Sequence, residues 1–480
     1  MAIGGFAASA QAADLGDVTS LKDPLPDTLT WHGVTLYGTV DVGYAYQTNG
    51  APQTGSLYTG GLNLNMYGAK ANREAISTLS DNGLEQSKVG LKIEEQIGFG
   101  FTAIGKIETG FNPISGTLAD ACASLVANNG KPVNAWDSGL DGGRCGQAFN
   151  GPVYAGLTHP IYGTLTVGRQ QSLELDAIAS YDPMALSYAF SLLGFSGGAG
   201  AGIGDTETAR WDNSIKYVFQ YGPFHAAGMY AQGGDDVSIQ KNAYGADAGV
   251  TWKGFSLDAV YEKENGAVSM ATIAAGSCVL GSTCDQNALA ATITDNEAYS
   301  VMAKYTYEFG GGFKDEGPSS KLTVFGGYIH MDLANTSSPV APFSSTAGGY
   351  QMFSVTNQPY AIGSDRVLQT EWGGAKYEMG PWAFTGAYYH LGQNEYITSA
   401  GRNCAAATAH NVATAALGVK TGSNCSGDTD TVSGLVDYTF NKHFDMYAGV
   451  AWSDVSGGLS SGFVGSLDNT TFMTGMRLKF

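Results

Sequence analysis

Apolar and polar residues alternate, one by one, along most of this chain. In the segment from Val34 to Tyr44, the even positions are apolar or glycine and the odd ones are mostly polar, with Thr35, Thr39 and Asp41 among them. A β-strand turns successive side chains to opposite faces, so this spacing gives one greasy face and one wet face. Lys88 to Glu94, Leu322 to Tyr328 and Phe472 to Phe480 repeat the pattern. A helical period is nowhere sustained, and no run approaches the ~20 apolar residues of a membrane helix.

Candidate strands begin near Val34, Lys88, Phe101, Pro152, Gly163, Trp211, Phe224, Ala243, Gly254, Glu297, Lys321, Val367, Trp382, Thr431, His443 and Asn469. Each is roughly ten residues long, enough for a tilted strand to cross a bilayer. Their connections sort by parity. Tight turns fall at Gly98 to Gly100, Tyr162-Gly163, Gly222-Pro223, Lys253-Gly254, Gly380-Pro381 and Asn441-Lys442, with a longer one from Gly310 to Ser320. Between them lie long glycine-, serine- and asparagine-rich connections over 48–83, 112–150, 173–210, 266–296, 332–366 and 393–430. The expected fold is therefore all-β: a 16-stranded antiparallel transmembrane β-barrel with short periplasmic turns and long extracellular loops.

A soluble β-sandwich also alternates, but its loops need not sort into short and long. Nor does it need aromatics at strand ends. Here Tyr44, Tyr46, Phe99, Phe101, Phe219, Tyr221, Phe224, Tyr305, Tyr307, Phe309, Tyr388 and Tyr389 gather there, as an interfacial girdle requires. In hydrocarbon every backbone polar group needs a protein partner, so a sheet survives only when closed. A barrel of this strand number is too wide for side chains to fill, so water enters.

Composition supports this reading. Only 14% of the residues are charged, 26 are Tyr and 21 Phe, which argues against disorder, and glycine, 68 of 480 residues, has no collagen period. The net charge of −19 lacks the basic footprint of a nucleic-acid binder. Residues 1–12, ending in Ala10-Gln11-Ala12, look like the tail of a secretory signal, with 13–32 a short lead into a barrel domain over 33–480. Export favours paired cysteines. Six cysteines allow 15 connectivities. The neighbouring couples Cys122/Cys145, Cys278/Cys284 and Cys404/Cys425 each fall in one long loop, and nearest-neighbour pairing is expected; zinc is the alternative, without a C-x-x-C unit.

The phrases Val34 to Gly38, Ser87 to Lys92, Gly105 to Phe111, Gly163 to Gln170 and Arg210 to Tyr217, with a terminal Phe480, resemble the 16-stranded trimeric general-diffusion porins of proteobacterial outer membranes. The resemblance implies a homotrimer in outer-membrane lipid, passing small hydrophilic solutes and ions without energy coupling and without a cofactor. It implies that the third long loop, 173–210, folds into the barrel, and that its carboxylates, here Glu174, Asp176 and Asp182, face a basic wall. That wall is expected to comprise Lys88, Lys92, Lys106, Arg169, Arg210 and Lys216. It also implies that Phe480 is read by the barrel-assembly machinery. The loop departs from the family in having Tyr181-Asp-Pro-Met184 and a glycine-rich tip from Gly197 to Gly204. Arg169 shares parity with Leu165 and Val167, so it needs a bulge or a rim position to avoid lipid.

Other motifs are weak. Two G-x-S-x-G matches, Gly194 to Gly198 and Gly458 to Gly462, lie in loops without a following helix. The seven His, among them His32, His159, His225 and His330, show no metal-ligand spacing. Asp235-Asp236 and Asp428/Asp430 complete no EF-hand loop. The expectation is a channel and not an enzyme, with a sugar- or carboxylate-selective channel, a barrel hydrolase and an adhesive barrel as rivals. Net acidity predicts weak cation selectivity.

Overall fold

A computed structural model describes residues 29–53, 62, 70–137, 144–193, 209–233, 241–274, 277, 287–309, 320–344, 346–401 and 425–480. The expected signal segment, the loop tip at 197–204, Gly310 to Gly312, and Cys278, Cys284 and Cys404 lie outside them.

Sixteen strands close a barrel: β1 Val34–Gly50, β2 Lys88–Gly98, β3 Phe101–Gly110, β4 Val153–His159, β5 Gly163–Gln171, β6 Arg210–Tyr221, β7 Phe224–Ala231, β8 Ala243–Trp252, β9 Phe255–Ala271, β10 Ala288–Phe309, β11 Ser320–Asn335, β12 Arg366–Met379, β13 Trp382–Gln393, β14 Gly427–Asn441, β15 Phe444–Val455 and β16 Asp468–Lys479. Each pairs antiparallel with its neighbour, and β1 pairs with β16 from Thr39↔Lys479 to Gln47↔Thr471. The last residue extends that seam: Phe480 and Gly38 exchange backbone hydrogen bonds of 3.0 and 2.9 Å. Gly38 must lack a side chain, because a Cβ there would lie 2.3 Å from the Phe480 ring.

Alternation explains the two faces. Along β2, Val89, Leu91, Ile93 and Ile97 point outward, while Lys88 on the other face meets Glu85. At the turn end, Phe99, Tyr221, Phe224 and Trp252 stand exposed. Ring contacts link Trp382 to Tyr438, Tyr438 to Phe440 and Phe440 to Phe444 across neighbouring strands. This is the girdle that an interface holds. Tyr389 is an exception: it is fully buried inside the barrel, because on β13 it stands one residue from the outward-facing Tyr388. The short turns are where the alternation placed them, and Gly98, Phe99 and Gly100 there all have positive φ.

Two departures matter for the interior. The connection expected over 48–83 contains a strand piece, Glu74–Asp81, which pairs with the upper half of β1 in the row that β2 continues below. Between the two pieces, residues 82–87 leave the wall. Asp41, fully buried, holds them there: its Oδ2 accepts the backbone N–H of Leu84 (2.7 Å) and Glu85 (3.0 Å), and its Oδ1 accepts the Tyr447 hydroxyl (2.7 Å). A single alternation count cannot see a break repaired by a buried carboxylate.

The second departure is length. β9 and β10 span 17 and 22 residues, well past what a bilayer needs. Their far ends shape a small apolar core at the loop end. There helix α1, Ala121–Ala127, brings Cys122 and Leu125 against Val268, Met270, Leu289 and Ile293. Cys122 is bridged to Cys145, the first expected couple. Cys425 is also disulfide-bonded.

Candidate functional site: the inward-folded loop and the cleft it leaves

The third long connection turns into the barrel as soon as β5 ends. Ser172 caps the turn, its Oγ accepting the Leu175 N–H at 3.2 Å, and starts helix α2, Leu173–Tyr181. Leu173, Ala177, Ile178 and Tyr181 are buried within the barrel, joined there by Trp211, Met302 and Trp372. Glu262 on β9 receives the helix start, accepting the Glu174 N–H at 3.1 Å, where a carboxylate favours the positive helix end.

Beyond α2 the chain follows the inner wall. Trp372 Nε1 donates to the Tyr181 carbonyl at 3.0 Å, and the Tyr389 hydroxyl donates to Asp182. Ser433 Oγ donates to the Phe190 carbonyl, and the Phe190 ring packs edge-on against Tyr447. Gly374 and Gly449 make room: a Cβ at either would meet Pro183 or Phe190 at 2.6–2.7 Å. Ser187 Oγ donates to the Gly83 carbonyl at 2.9 Å, so this stretch of the loop also meets the 82–87 excursion. One arc of the barrel, from β9 to β15, is thereby filled like a soluble core.

Along the other arc the described residues leave an opening. A cleft of ≈ 260 Å³ is lined by Glu85, Gln86, Lys88, Glu108 and Arg210 from the wall side, by Arg144 from the preceding connection, and by Gln171, Leu175, Ala185, Leu186 and Tyr188 from the loop side.

This differs from the expected acidic loop facing a basic wall. Glu174, in the first turn of α2, is fully buried, its Oε2 accepting from Ser300 at 2.8 Å. Burial, and then the adjacent Glu262, push its carboxyl up to about 8, against the pull of the Ser300 bond. Asp182 is 3% exposed and holds its own loop, accepting from Met184 N (3.1 Å), Leu186 N (2.8 Å), Ser191 Oγ (2.6 Å) and Tyr389. Burial raises its carboxyl too, those bonds working against it. Only Asp176 is exposed, and it pairs with Lys216 at 2.7 Å.

Of the six wall cations, Lys88 and Arg210 line the cleft. Lys92 and Lys106 lie over the Tyr37 ring at 5.2 and 5.6 Å. Arg169 sits where the β5–β6 register shifts between Gly168 and Gln170, which resolves its parity, and it pairs with Asp212 at 2.6 Å. The sequence reading missed Glu85, Glu108 and Arg144. Glu108 sits in the Gly105–Phe111 phrase, two residues from Lys106 and on the same strand face, so period two could have found it. Arg144 is brought in only by the Cys122–Cys145 loop, 5% exposed and bonded to Asn150 at 2.8 Å. Of the nucleophile-elbow motifs, Gly194 to Gly198 lies outside the described residues. In the other, Ser460 donates to the Gly457 carbonyl from a short 3-10 turn and is buried.

A closed membrane sheet with a water-lined passage narrowed by an inward loop defines the porin class of barrels. The family model for Gram-negative porins matches residues 1–458, and the chain belongs to that family, which places it in the bacterial outer membrane. An outer membrane porin protein of Bordetella pertussis is 25% identical over 196 residues, spanning 39% of this chain and 41% of that relative. The anion-selective porin from Comamonas acidovorans superposes with a TM-score of 0.54 at 15% identity, covering 93% of this chain and 99% of that one. OmpT of Vibrio cholerae, in its trimer form, gives 0.50 at 13% identity, with 93% and 99% covered.

Proposed function

We propose that this chain is a passive channel for small hydrophilic solutes and ions, assembled as a homotrimer with one pore per subunit. The observation that carries it is the cleft: the loop fills one arc of the lumen and leaves a charged, wet passage along the β2–β6 arc. Fixed charges there act on the solutes through their field. Lys88, Arg144 and Arg210 line the cleft against Glu85 and Glu108, an excess of one positive charge. In a screened pore the nearest charges outweigh the distant total, so the passage favours small anions weakly, opposite to what net acidity alone suggests. The name of the Comamonas relative and the trimer form of the Vibrio one support these two choices. Phe480, at the seam with its backbone paired to Gly38, serves as the signal for barrel assembly.

Planar-bilayer recording tests the reading. Conductance steps in groups of three and a reversal potential on the anion side across a salt gradient support it. Clear cation preference overturns the charge assignment, and a folded protein that never conducts overturns the channel itself.

A further inference from the structure

We propose that His225, Asp247 and Asp258 form a binding site for a divalent transition-metal ion in the lumen wall near the turn end of the barrel. The three residues come from adjacent strands. β7, β8 and β9 pair in a register that sets His225, Gly249 and Asp258 in one row, with Asp247 two positions along from Gly249 on the same inward face. Gly249 is what lets the outer two meet. A Cβ there would lie 1.6 Å from Asp258 Oδ1 and 2.5 Å from His225 Cε1, so the space a side chain would fill is taken by the imidazole and carboxylate leaning over it.

His225 Nε2 lies 2.7 Å from Asp258 Oδ1 and 3.9 Å from Asp247 Oδ2, and all three ligand atoms fall within 4.8 Å of one another. A tetrahedral ion with bonds near 2.1 Å holds its ligands about 3.4 Å apart, so the two imidazole–carboxylate separations lie on either side of that spacing and side-chain shifts of about an ångström or less complete the geometry. The polar accounting points the same way. Asp258 is only 7% exposed, yet its Oδ1 makes no directed hydrogen bond despite the close imidazole, and the buried Asp247 Oδ1 has no hydrogen-bond partner either. An imidazolium–carboxylate pair answers one of these oxygens; an ion bound between the three residues answers the set. The Tyr181 hydroxyl at the end of α2 is hydrogen-bonded to Ser256 Oγ at 2.7 Å, two residues before Asp258 on the same face of β9. Lys304, on the adjacent strand β10, has its ammonium engaged with the Ser180 carbonyl at 2.8 Å.

One imidazole and two carboxylates make a mixed nitrogen–oxygen set, suited to zinc, nickel or cobalt more than to calcium. Three protein ligands leave a position open to lumen water. Histidine scanning along the sequence cannot find such a site, because its members lie on three separate strands and meet only through strand register.

The test uses the full-length folded protein in detergent, titrated with Zn²⁺ by calorimetry, with Co²⁺ absorption as a report on ligand type. The expected result is one ion per chain, at least tenfold weaker binding in both His225→Ala and Asp258→Asn, and a Co²⁺ spectrum of mixed nitrogen–oxygen coordination lost in both. A gel-mobility check of the closed barrel separates lost ligands from lost fold, and Asp247→Asn gives a third reading if either variant does not fold. Equal affinity in all three variants overturns the proposal. So does binding that survives them but disappears in His390→Ala, since His390 faces Asp428 and Asp430 at the opposite end of the barrel.

Discussion

Replacing Asp182 with Ala removes the acceptor around which the inward loop is folded. The carboxylate takes four donors: the Met184 and Leu186 N–H groups and the Ser191 and Tyr389 hydroxyls. The two hydroxyls belong to fully buried residues. Each buried donor left unpaired costs about 1–3 kcal/mol, so the two hydroxyls alone put the loss at roughly 2–6 kcal/mol. That cost falls on the seat of the loop, since none of these four bonds belongs to the barrel ladder. The sheet should still close, and the loop should leave the wall for part of the time. In planar bilayers the expected signature is a noisier open state with a higher mean conductance, and liposome swelling should admit larger sugars. Asp182→Asn, which keeps one acceptor oxygen, should fall between. A folded Asp182→Ala protein with unchanged noise and size cut-off would refute the claim that this carboxylate seats the loop.

Glu174, raised to about 8 from 4.5, stabilises the seated helix most when protonated; that contribution is complete below about pH 4.5 and is lost as pH rises toward 8. Conductance noise should therefore grow from pH 5 to pH 9, and Glu174→Gln should flatten the profile; a wild-type profile that is already flat counts against it. Lys88→Glu should move the reversal potential toward cations more than Arg169→Glu, because Lys88 lines the cleft and Arg169 is occupied with Asp212 at a bulge. Reducing the Cys122–Cys145 bridge, 23 residues apart, releases about 3 kcal/mol of loop-closure constraint, and limited proteolysis should then cut within 112–150 while the barrel core resists. Gly449→Ala should displace Phe190, which a Cβ would meet at 2.7 Å, and give a milder form of the Asp182→Ala phenotype.

The wall of this molecule was legible because strand geometry is local. The alternation from Val34 to Tyr44 and from Lys88 to Glu94 decides which side chains meet lipid, and the parity of short and long connections decides which end is which. The interior was not legible in the same way. Glu174 and Asp182 have the residue type of pore carboxylates, but their fate depends on Ser300, Glu262 and Tyr389, which lie far along the chain. Arg144 enters the cleft through a disulfide-closed excursion, and the break at residues 82–87 is stabilised by Asp41 and Tyr447, 406 residues apart. The His225 cluster follows the same rule. Strand register is a long-range quantity, and one sequence read in windows does not contain it.

The packed arc between β9 and β15 has a consequence for how this barrel can vary. Lumen residues there, such as Trp372, Tyr389, Ser433 and Gly449, answer to volume and shape, because they border a solid filling and not a stream of solutes. Residues along β2 and β3 border moving water and can exchange charge at little structural cost. Tuning what passes and holding the gatekeeping segment in place are thus divided between opposite sides of one cylinder, so that either can change with small effect on the other.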